Sequence, residues 1–435
     1  MGNVLIVGAG IGGDALAVML GRAGWRVTVV EIAPELRTGG QTVDLRGDSR
    51  DVLDRLGLLG ECLTHLVDQR GVAWIDESGR RRAAMPAEAF GGHGFVSTEE
   101  LLRTDLARVL HDAAAEHVTH WFGDTVETLE ETPSGVRVTF RRRPAATFDL
   151  VIGADGAHSR VRSLAFGPEE GFRRPLGFAH AWFTLTERPG TPRLDDWLLM
   201  CNVPGGLLVT ARPGHPGEQE IGLSFPATSL PPRGDREARF ALLERTFAGV
   251  GWRTAEFLAA ARQAPDFALD TYDQTAVDRW HRGRVVLLGD SAWCASPLSG
   301  LGTALALQGA EALASTLLSG DSSADGSPAG ASSADGPLAA YERRMRPRVD
   351  AAQKMFPGRI AMYAPRTRTG IRVMTGVMRA VQWGPIAGVL GRLAATHGQD
   401  PAASHAGHGS AAGTGPGWRS GVSDAERDTP EHQPE

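Results

Sequence analysis

Gly8, Gly10 and Gly13 stand in the spacing G-x-G-x-x-G directly after the apolar run VLIV. Glycines so spaced permit a tight turn and let the backbone approach a pyrophosphate at a helix N-terminus. Glu31 follows 18 residues after Gly13, where a carboxylate can accept hydrogen bonds from the hydroxyls of an adenosine ribose. A second pair, Asp155-Gly156, ends the run DLVIGADG. A third, Gly289-Asp290, ends RVVLLGD and is followed by Pro297 and by Gly300-Leu301-Gly302-Thr303. The first of these groups fits the binding of a dinucleotide, provided that it sits between a strand and a helix.

The surrounding pattern supplies that context. VLIVGAG (4–10) reads as a buried parallel strand, a helix pattern runs from about Gly12 to Ala23, and WRVTVVE (25–31) reads as the next strand. This is a βαβ opening. The glycine-rich stretch from Thr38 to Arg46 predicts a loop, and a helix is expected near Arg50–Leu56. RGVAWID and GHGFVST, within 70–98, read as two short strands. STEELLRTDLARVLHDAAAE (97–116) has helical spacing, with Ser97 or Thr98 as cap and Glu99 and Glu100 in the first turn. Strands resume through VTHWFGDTVETLEET, VRVTF and DLVIGADG. From about Phe172 to Asp278, longer alternating strands predict a separate, largely antiparallel sheet. RVVLLGDSA (284–292) then returns to buried-strand character.

The three motifs, in this order, resemble the fingerprints of the single-component, class A flavoprotein monooxygenases of the aromatic-hydroxylase type. The resemblance covers roughly residues 1–320 and is far more specific than any one motif. It implies an α/β fold: a Rossmann-like FAD-binding domain, an inserted mixed or antiparallel-sheet substrate domain, and C-terminal helices. The expected division gives 1–69, 99–171 and 280–319 to the FAD-binding domain, and 70–98 and 172–279 to the substrate domain. The segment 320–337, which repeats SSADG, is expected to be a disordered insertion, 338–397 a helical region, and 398–435 a disordered tail.

Residue by residue, the resemblance implies the following roles. Glu31 binds the adenosine ribose. Arg103, in RTDLARVL, lies by the FAD pyrophosphate or ribityl chain. Asp155 serves FAD and nicotinamide binding, and Asp290 accepts from a ribityl hydroxyl. Backbone amides from Gly300 to Thr303, after Pro297, face the pyrimidine end of the isoalloxazine. Arg46, in GGQTVDLRG, matches a region that approaches the flavin. NADPH or NADH reduces the FAD, O₂ adds at C4a, and the hydroperoxide passes oxygen to an electron-rich carbon, so the chemistry is borne by the flavin and no catalytic triad is required. The implied substrate is a hydrophobic, aromatic or polycyclic small molecule. His180, Trp182, Trp197, Met200 and Phe225, on alternating strands, are candidates to line its pocket.

Two positions depart from the family pattern. The usual GD-A-A-H is here Gly289-Asp290-Ser291-Ala292-Trp293, and the usual G-x-G-x-N ends in Ala304. Ala304 forgoes one polar contact, worth about 1 kcal/mol. Trp293 and Cys294 could line the substrate pocket or pack in the core. These departures motivate two alternatives: a non-redox cyclase using FAD as a structural cofactor, and a flavin-loaded protein that sequesters a ligand. The sequence argues against a flavin-dependent halogenase, which resembles this fold but requires an active-site lysine and a W-x-W-x-I-P stretch, since Lys354, the only lysine, lies far downstream and no such stretch occurs.

Composition bounds the rest. A chain of 435 residues with a formal net charge of −6 lacks the basic balance that nucleic acid requires. Cys62, Cys201 and Cys294 are an odd, widely spaced set that suggests neither disulfides nor a metal motif. With no signal-peptide pattern and no apolar run of membrane-spanning length, a cytoplasmic protein without a membrane span is expected, as a monomer or homodimer.

Overall fold

The computed structural model describes residues 2–36, 41–45, 47–89, 96–320, 336–355 and 358–380. Arg46, the expected insertion and the expected tail fall wholly or largely outside them.

The strands Asn3–Val7, Arg26–Glu31, Thr119–Phe122, Leu150–Gly153, His281–Arg282 and Val285–Leu287 form one sheet. Asn3–Val7 lies at its centre, parallel to Leu150–Gly153 on one side and to Arg26–Glu31 on the other. Val285–Leu287 continues the sheet beyond Leu150–Gly153, also in parallel. The central strands are mostly apolar because helices cover the sheet, leaving Val4, Leu5 and Ile6 with no exposed surface. Ile11–Arg22 packs between Arg103–Ala115 and Gly302–Gly320, and Pro337–Gln353 packs on Gly302–Gly320.

A second sheet has seven strands, in the spatial order Ala268–Thr275, Arg173–Thr186, Glu218–Pro226, Leu207–Pro213, Trp197–Val203, Gly71–Ile75 and Arg81–Pro86. All its pairs are antiparallel except Trp197–Val203 with Gly71–Ile75. Period-two alternation sorts its side chains onto two faces. Ala181, Phe183, Cys201, Ile221, Leu223 and Phe225 form the back face, covered by the helices Arg236–Thr246 and Thr254–Gln263 through Phe240, Leu243, Phe247 and Phe257. The front face carries His180, Trp182, Met200, Arg212, Glu220 and Ser224. At one end the helix Arg368–Ala380 closes it, with Met374 and Met378 packed among Trp74, Met85 and Met200. This covering role is the one expected of an amphipathic C-terminal helix.

The fold is the α/β class expected, with three local differences. The helix expected over 97–116 begins only at Arg103, because Glu100–Leu102 is a strand paired to Thr42–Asp44. Glu100 points inward to Arg212 instead of sitting in the first turn of a helix. The strand that follows Gly71–Ile75 is Arg81–Pro86, joined to it by a short turn, and most of GHGFVST lies outside the described residues. Finally, the glycine-rich 38–46 stretch contains the strand Thr42–Asp44.

Candidate functional site

The three motifs meet at the C-terminal ends of adjacent parallel strands, where a doubly wound sheet binds its ligand. Gly8 has φ +109°, and a Cβ built on it would lie 2.5 Å from the Ala154 carbonyl oxygen. A Cβ on Gly13 would lie 2.0 Å from the Gly8 oxygen. A Cβ on Gly10, in contrast, would meet nothing within 4 Å. Gly8 and Gly13 are therefore required by the protein's own backbone, whereas Gly10 keeps open the side a pyrophosphate would approach. The positions of Gly300 and Gly302 are open in the same way.

Glu31 ends its strand facing the glycine turn. Its oxygens accept from the backbone N–H groups of Ala9 (3.0 Å) and Ala33 (2.9 Å). A carboxylate offers about four lone-pair positions, so acceptor capacity remains for ribose hydroxyls. The residue both fastens the turn and fits an adenosine.

Asp155 is engaged by the chain's own donors. Its carboxylate accepts from Ser159 Oγ, from the Arg160 N–H (2.6 Å) and Val161 N–H (3.1 Å), and from Ser291 Oγ at 3.2 Å. Ser291 Oγ also accepts from the Gly156 N–H at 3.0 Å. The buried Arg162 donates to the carbonyls of Ser291 (2.9 Å) and Ala157 (2.6 Å). Asp155 is thus filled by the chain's own donors, and through Ser291 it fixes the short helix Asp290–Trp293.

Asp290 differs. It is half-buried, and burial raises its pKa, opposed by the Arg103 guanidinium across the site. Arg103, exposed at the start of its helix, is held by its N–H to the Gln41 carbonyl at 3.0 Å. A half-buried carboxylate with such partners has capacity for a neutral hydroxyl donor, which a ribityl chain supplies. Beyond it, Ser296 holds φ +79° at the entry to the turn Pro297–Ser299, and Gly300 holds φ +68°. A non-glycine residue there stores roughly 1–3 kcal/mol of strain, a feature that concentrates at functional sites. The loop then presents the exposed Leu301 and enters the helix Gly302–Gly320, with Thr303 half-buried in its first turn.

The front face of the seven-stranded sheet adjoins this loop. Leu298 packs against Phe178 and Tyr272 of that face. His180 is buried, stacked on Trp182 with ring centroids 5.8 Å apart, and its Nδ1 lies 2.7 Å from Ser224 Oγ. Burial lowers the pKa of His180 to about 4, so it is neutral at physiological pH. The Tyr272 and Tyr363 hydroxyls lie against Ser224.

The other expected pocket residues are placed elsewhere. Phe225 points to the back face and packs edge-on against Phe247 at 5.9 Å. Trp197 alternates with Met200 and so faces the opposite side, under the Arg81 guanidinium 4.6 Å from its ring centroid. Met200 is on the front face but beneath Met374 and Met378. Trp293 is a core residue, 2% exposed, against Trp280 (4.4 Å) and Tyr341 (5.9 Å). Gly309 makes room for it, since a Cβ there would lie 2.8 Å from the indole. The bulk that replaces the usual histidine is therefore accommodated behind the site.

A charged cluster joining the seven-stranded sheet to the two-stranded pair Thr42–Asp44 and Glu100–Leu102 was not anticipated. Arg212 and Glu220 are directly opposite on neighbouring strands. Arg212 forms a salt bridge with the buried Glu100 and donates to Gln69 Oε1 at 3.2 Å. Glu220 accepts from the Thr42 N–H at 3.1 Å. The signal was charge on the polar face of two mostly apolar strands, Arg212 in LLVTARP and Glu218 and Glu220 in EQEIGLSFP. Burial raises the Glu220 pKa to about 7, with Arg212 opposing. Its folded-state pKa thus exceeds the unfolded value of 4.5. The folded state holds this proton more tightly, so stability declines as pH rises between the two values. Glu220→Gln, uncharged throughout, is expected to be more stable than the wild type at pH about 8, by at most about 3 kcal/mol. The advantage should vanish below pH about 4.5, where both side chains are neutral. Urea midpoints of both proteins at the two pH values check this; a difference independent of pH would refute it.

Comparisons with known proteins agree with this geometry. The family described as FAD binding domain matches residues 1–327. An uncharacterized protein of Mycobacterium tuberculosis is 43% identical over 322 residues, covering 73% of this chain and 85% of that protein. The FAD-dependent monooxygenase asL4 of Sarocladium schorii is 32% identical over 400 residues, covering 87% and 92%. Among solved structures, tetracycline destructase Tet(51) aligns with a TM-score of 0.72 at 25% identity, covering 87% of this chain and 96% of that one. Klebsiella pneumoniae HpxO, complexed with FAD and uric acid, aligns at 0.67 and 24%, covering 91% and 97%, and shares the fold. On the convergence of the three motifs and on these relatives, the chain belongs to the single-component, class A FAD-dependent monooxygenases and is an FAD-dependent oxidoreductase.

Proposed function

We propose that this enzyme uses NADPH or NADH and O₂ to hydroxylate or epoxidise a hydrophobic, aromatic or polycyclic small molecule. The observation that carries the reading is the aromatic front face, His180, Trp182, Phe178 and Tyr272, joined through Leu298 to the loop that follows Asp290. Aromatic walls with a few polar groups suit a flat apolar ligand. The solved relatives named above are a destructase of tetracycline and an enzyme complexed with uric acid, both ring compounds.

Gly8, Gly10 and Gly13 would admit the FAD pyrophosphate, and Glu31 would accept from the adenosine ribose. Arg103 would lie by the pyrophosphate or ribityl chain. Asp290 would accept from the ribityl chain, and the amides of Gly300, Leu301, Gly302 and Thr303, after Pro297, would face the isoalloxazine. Bound there, the flavin supplies electron transfer from the nicotinamide and activation of O₂. The chain's part is to orient the substrate on the front face, keep His180 neutral and exclude water. Placing Trp293 in the core removes one of the two departures that favoured a non-redox enzyme.

Anaerobic mixing with NADPH or NADH, followed at the flavin absorbance near about 450 nm, tests the reading. With an aromatic polyketide-like ligand present, bleaching should accelerate, and admitted air should restore the band and yield an oxygenated product. Bound FAD that neither nicotinamide reduces, with any ligand of the panel, would overturn it.

A further inference from the structure

On the far side of the helix Ile11–Arg22, three side chains that take no part in the flavin site converge. Asp14 follows Gly13 directly and has no exposed surface. His111, from the helix Arg103–Ala115, and His120, from the edge strand Thr119–Phe122, face it with side chains 17% and 8% exposed. Asp14 Oδ1 lies 3.0 Å from His120 Nε2. Asp14 Oδ2 lies 3.7 Å from His111 Nδ1, beyond hydrogen-bond reach. Both of these last two atoms are buried without a hydrogen-bond partner among the described residues. The imidazoles meet edge-on, with centroids 4.2 Å apart.

Two imidazoles and one carboxylate are a ligand set suited to zinc and its neighbours in the transition series. A tetrahedral zinc ion with bonds of about 2.0–2.1 Å sets its ligand atoms about 3.3–3.4 Å apart. With one ligand atom taken from each residue, the three atoms all lie within 4.8 Å of one another, so a small inward shift of the side chains brings them to that spacing. One oxygen of this fully buried carboxylate has no hydrogen-bond partner among the described residues, which leaves acceptor capacity for a cation. Phe122 stacks on His120 at 6.1 Å and meets His111 edge-on at 5.6 Å, supplying the apolar wall that orients metal-binding imidazoles.

We propose that Asp14, His111 and His120 form a binding site for a divalent transition-metal ion, zinc in the first instance, that braces the first helix behind the glycine turn. The ion joins two helices and the edge strand, and its remaining position faces solvent past the partly exposed His111. The site is structural: it holds in place the helix whose N-terminus carries Gly10 and Gly13.

The test uses tag-free, full-length holoprotein stripped with a chelator and titrated with Co²⁺ as a spectroscopic probe, then with Zn²⁺ in competition. One equivalent of Co²⁺ should bind, give four- or five-coordinate d–d bands, be displaced by Zn²⁺, and raise Tm by a few degrees. H120Q retains an amide donor for Asp14 but is a poor ligand, and H111N removes the more exposed imidazole; both should lose the bands and the Tm rise. H405Q/H408Q, which removes two tail histidines, should keep both. Flavin content and circular dichroism verify folding, and if H120Q does not fold, H111N and the wild-type spectrum still decide. The proposal is overturned if the wild type binds no Co²⁺. It is equally overturned if binding persists in H120Q and H111N, or disappears in H405Q/H408Q.

Discussion

Replacing Gly13 with alanine is expected to yield a protein destabilised by roughly 3 kcal/mol or more and nearly devoid of flavin. The added methyl carbon would sit 2.0 Å from the Gly8 carbonyl oxygen, which is backbone and cannot swing aside. Either the first helix moves away from the sheet or the turn opens, and both displace the N–H groups expected to face the pyrophosphate. Gly10→Ala is the discriminating companion. Gly10 has φ −90°, open to any residue, and its methyl would meet no protein atom within 4 Å. Gly10→Ala should fold with wild-type stability once flavin is removed, yet bind FAD at least about tenfold more weakly. Urea denaturation of the apoproteins, with the flavin-to-protein absorbance ratio of the holoproteins, separates the two. If G13A matched the wild type in both, or G10A kept full FAD affinity, the division between folding glycines and the ligand-facing glycine would be wrong.

Arg212→Met is expected to cost about 3–5 kcal/mol, since it removes one partner of a buried charge cluster and leaves the others uncompensated. Glu100 is 3% exposed, and Glu220 and Asp44 also lie within the field of the guanidinium. Glu100 belongs to the strand Glu100–Leu102, which pairs with Thr42–Asp44 beside the flavin site. The loss should therefore loosen the contact between the seven-stranded sheet and this strand pair as well as lower Tm. Adding Glu100→Gln to R212M should restore part of the stability, because the most deeply buried orphan charge is then gone. Thermal unfolding of the single and double variants measures this, and an unchanged Tm in R212M would show that the cluster contributes nothing net.

Much of the fold was legible because its signals are local. VLIV, DLVI and RVVLL are apolar over whole strands, which only burial on both faces explains, and each ends in residues with specific backbone or acceptor chemistry. What escaped depended on partners far along the chain. Glu100 reads as a first-turn helix residue until Arg212, 112 positions away, is known to claim it. The pocket candidates were chosen as large residues on alternating strands, yet alternation assigns parity without saying which parity faces the flavin. That depends on the helices Arg236–Thr246 and Thr254–Gln263 covering one side, and so Phe225 and Trp197 fell on the wrong one. Trp293 was ambiguous for a similar reason: its place in the core rests on Trp280, Tyr341 and the space left by Gly309. Asp14 and His120 lie 106 residues apart, and no spacing rule links them.

The interleaved order of the first sheet constrains how the chain acquires its shape as it is made. Val4 pairs with Leu150, and Val151 in turn with Val285. The N-terminal strand, at the centre of the finished sheet, therefore leaves the ribosome long before its neighbour on one side exists. At about 5–20 residues per second, the roughly 300 residues needed to complete the flavin loop take about 15–60 s. Every strand of the seven-stranded sheet lies within 71–275 and is therefore made before that interval ends. The dinucleotide half must wait with apolar edges open. On the proposed assignment of Gly10 and Asp290 to FAD, the cofactor finds its site complete only when the last part of that sheet emerges, so its capture comes late in biogenesis.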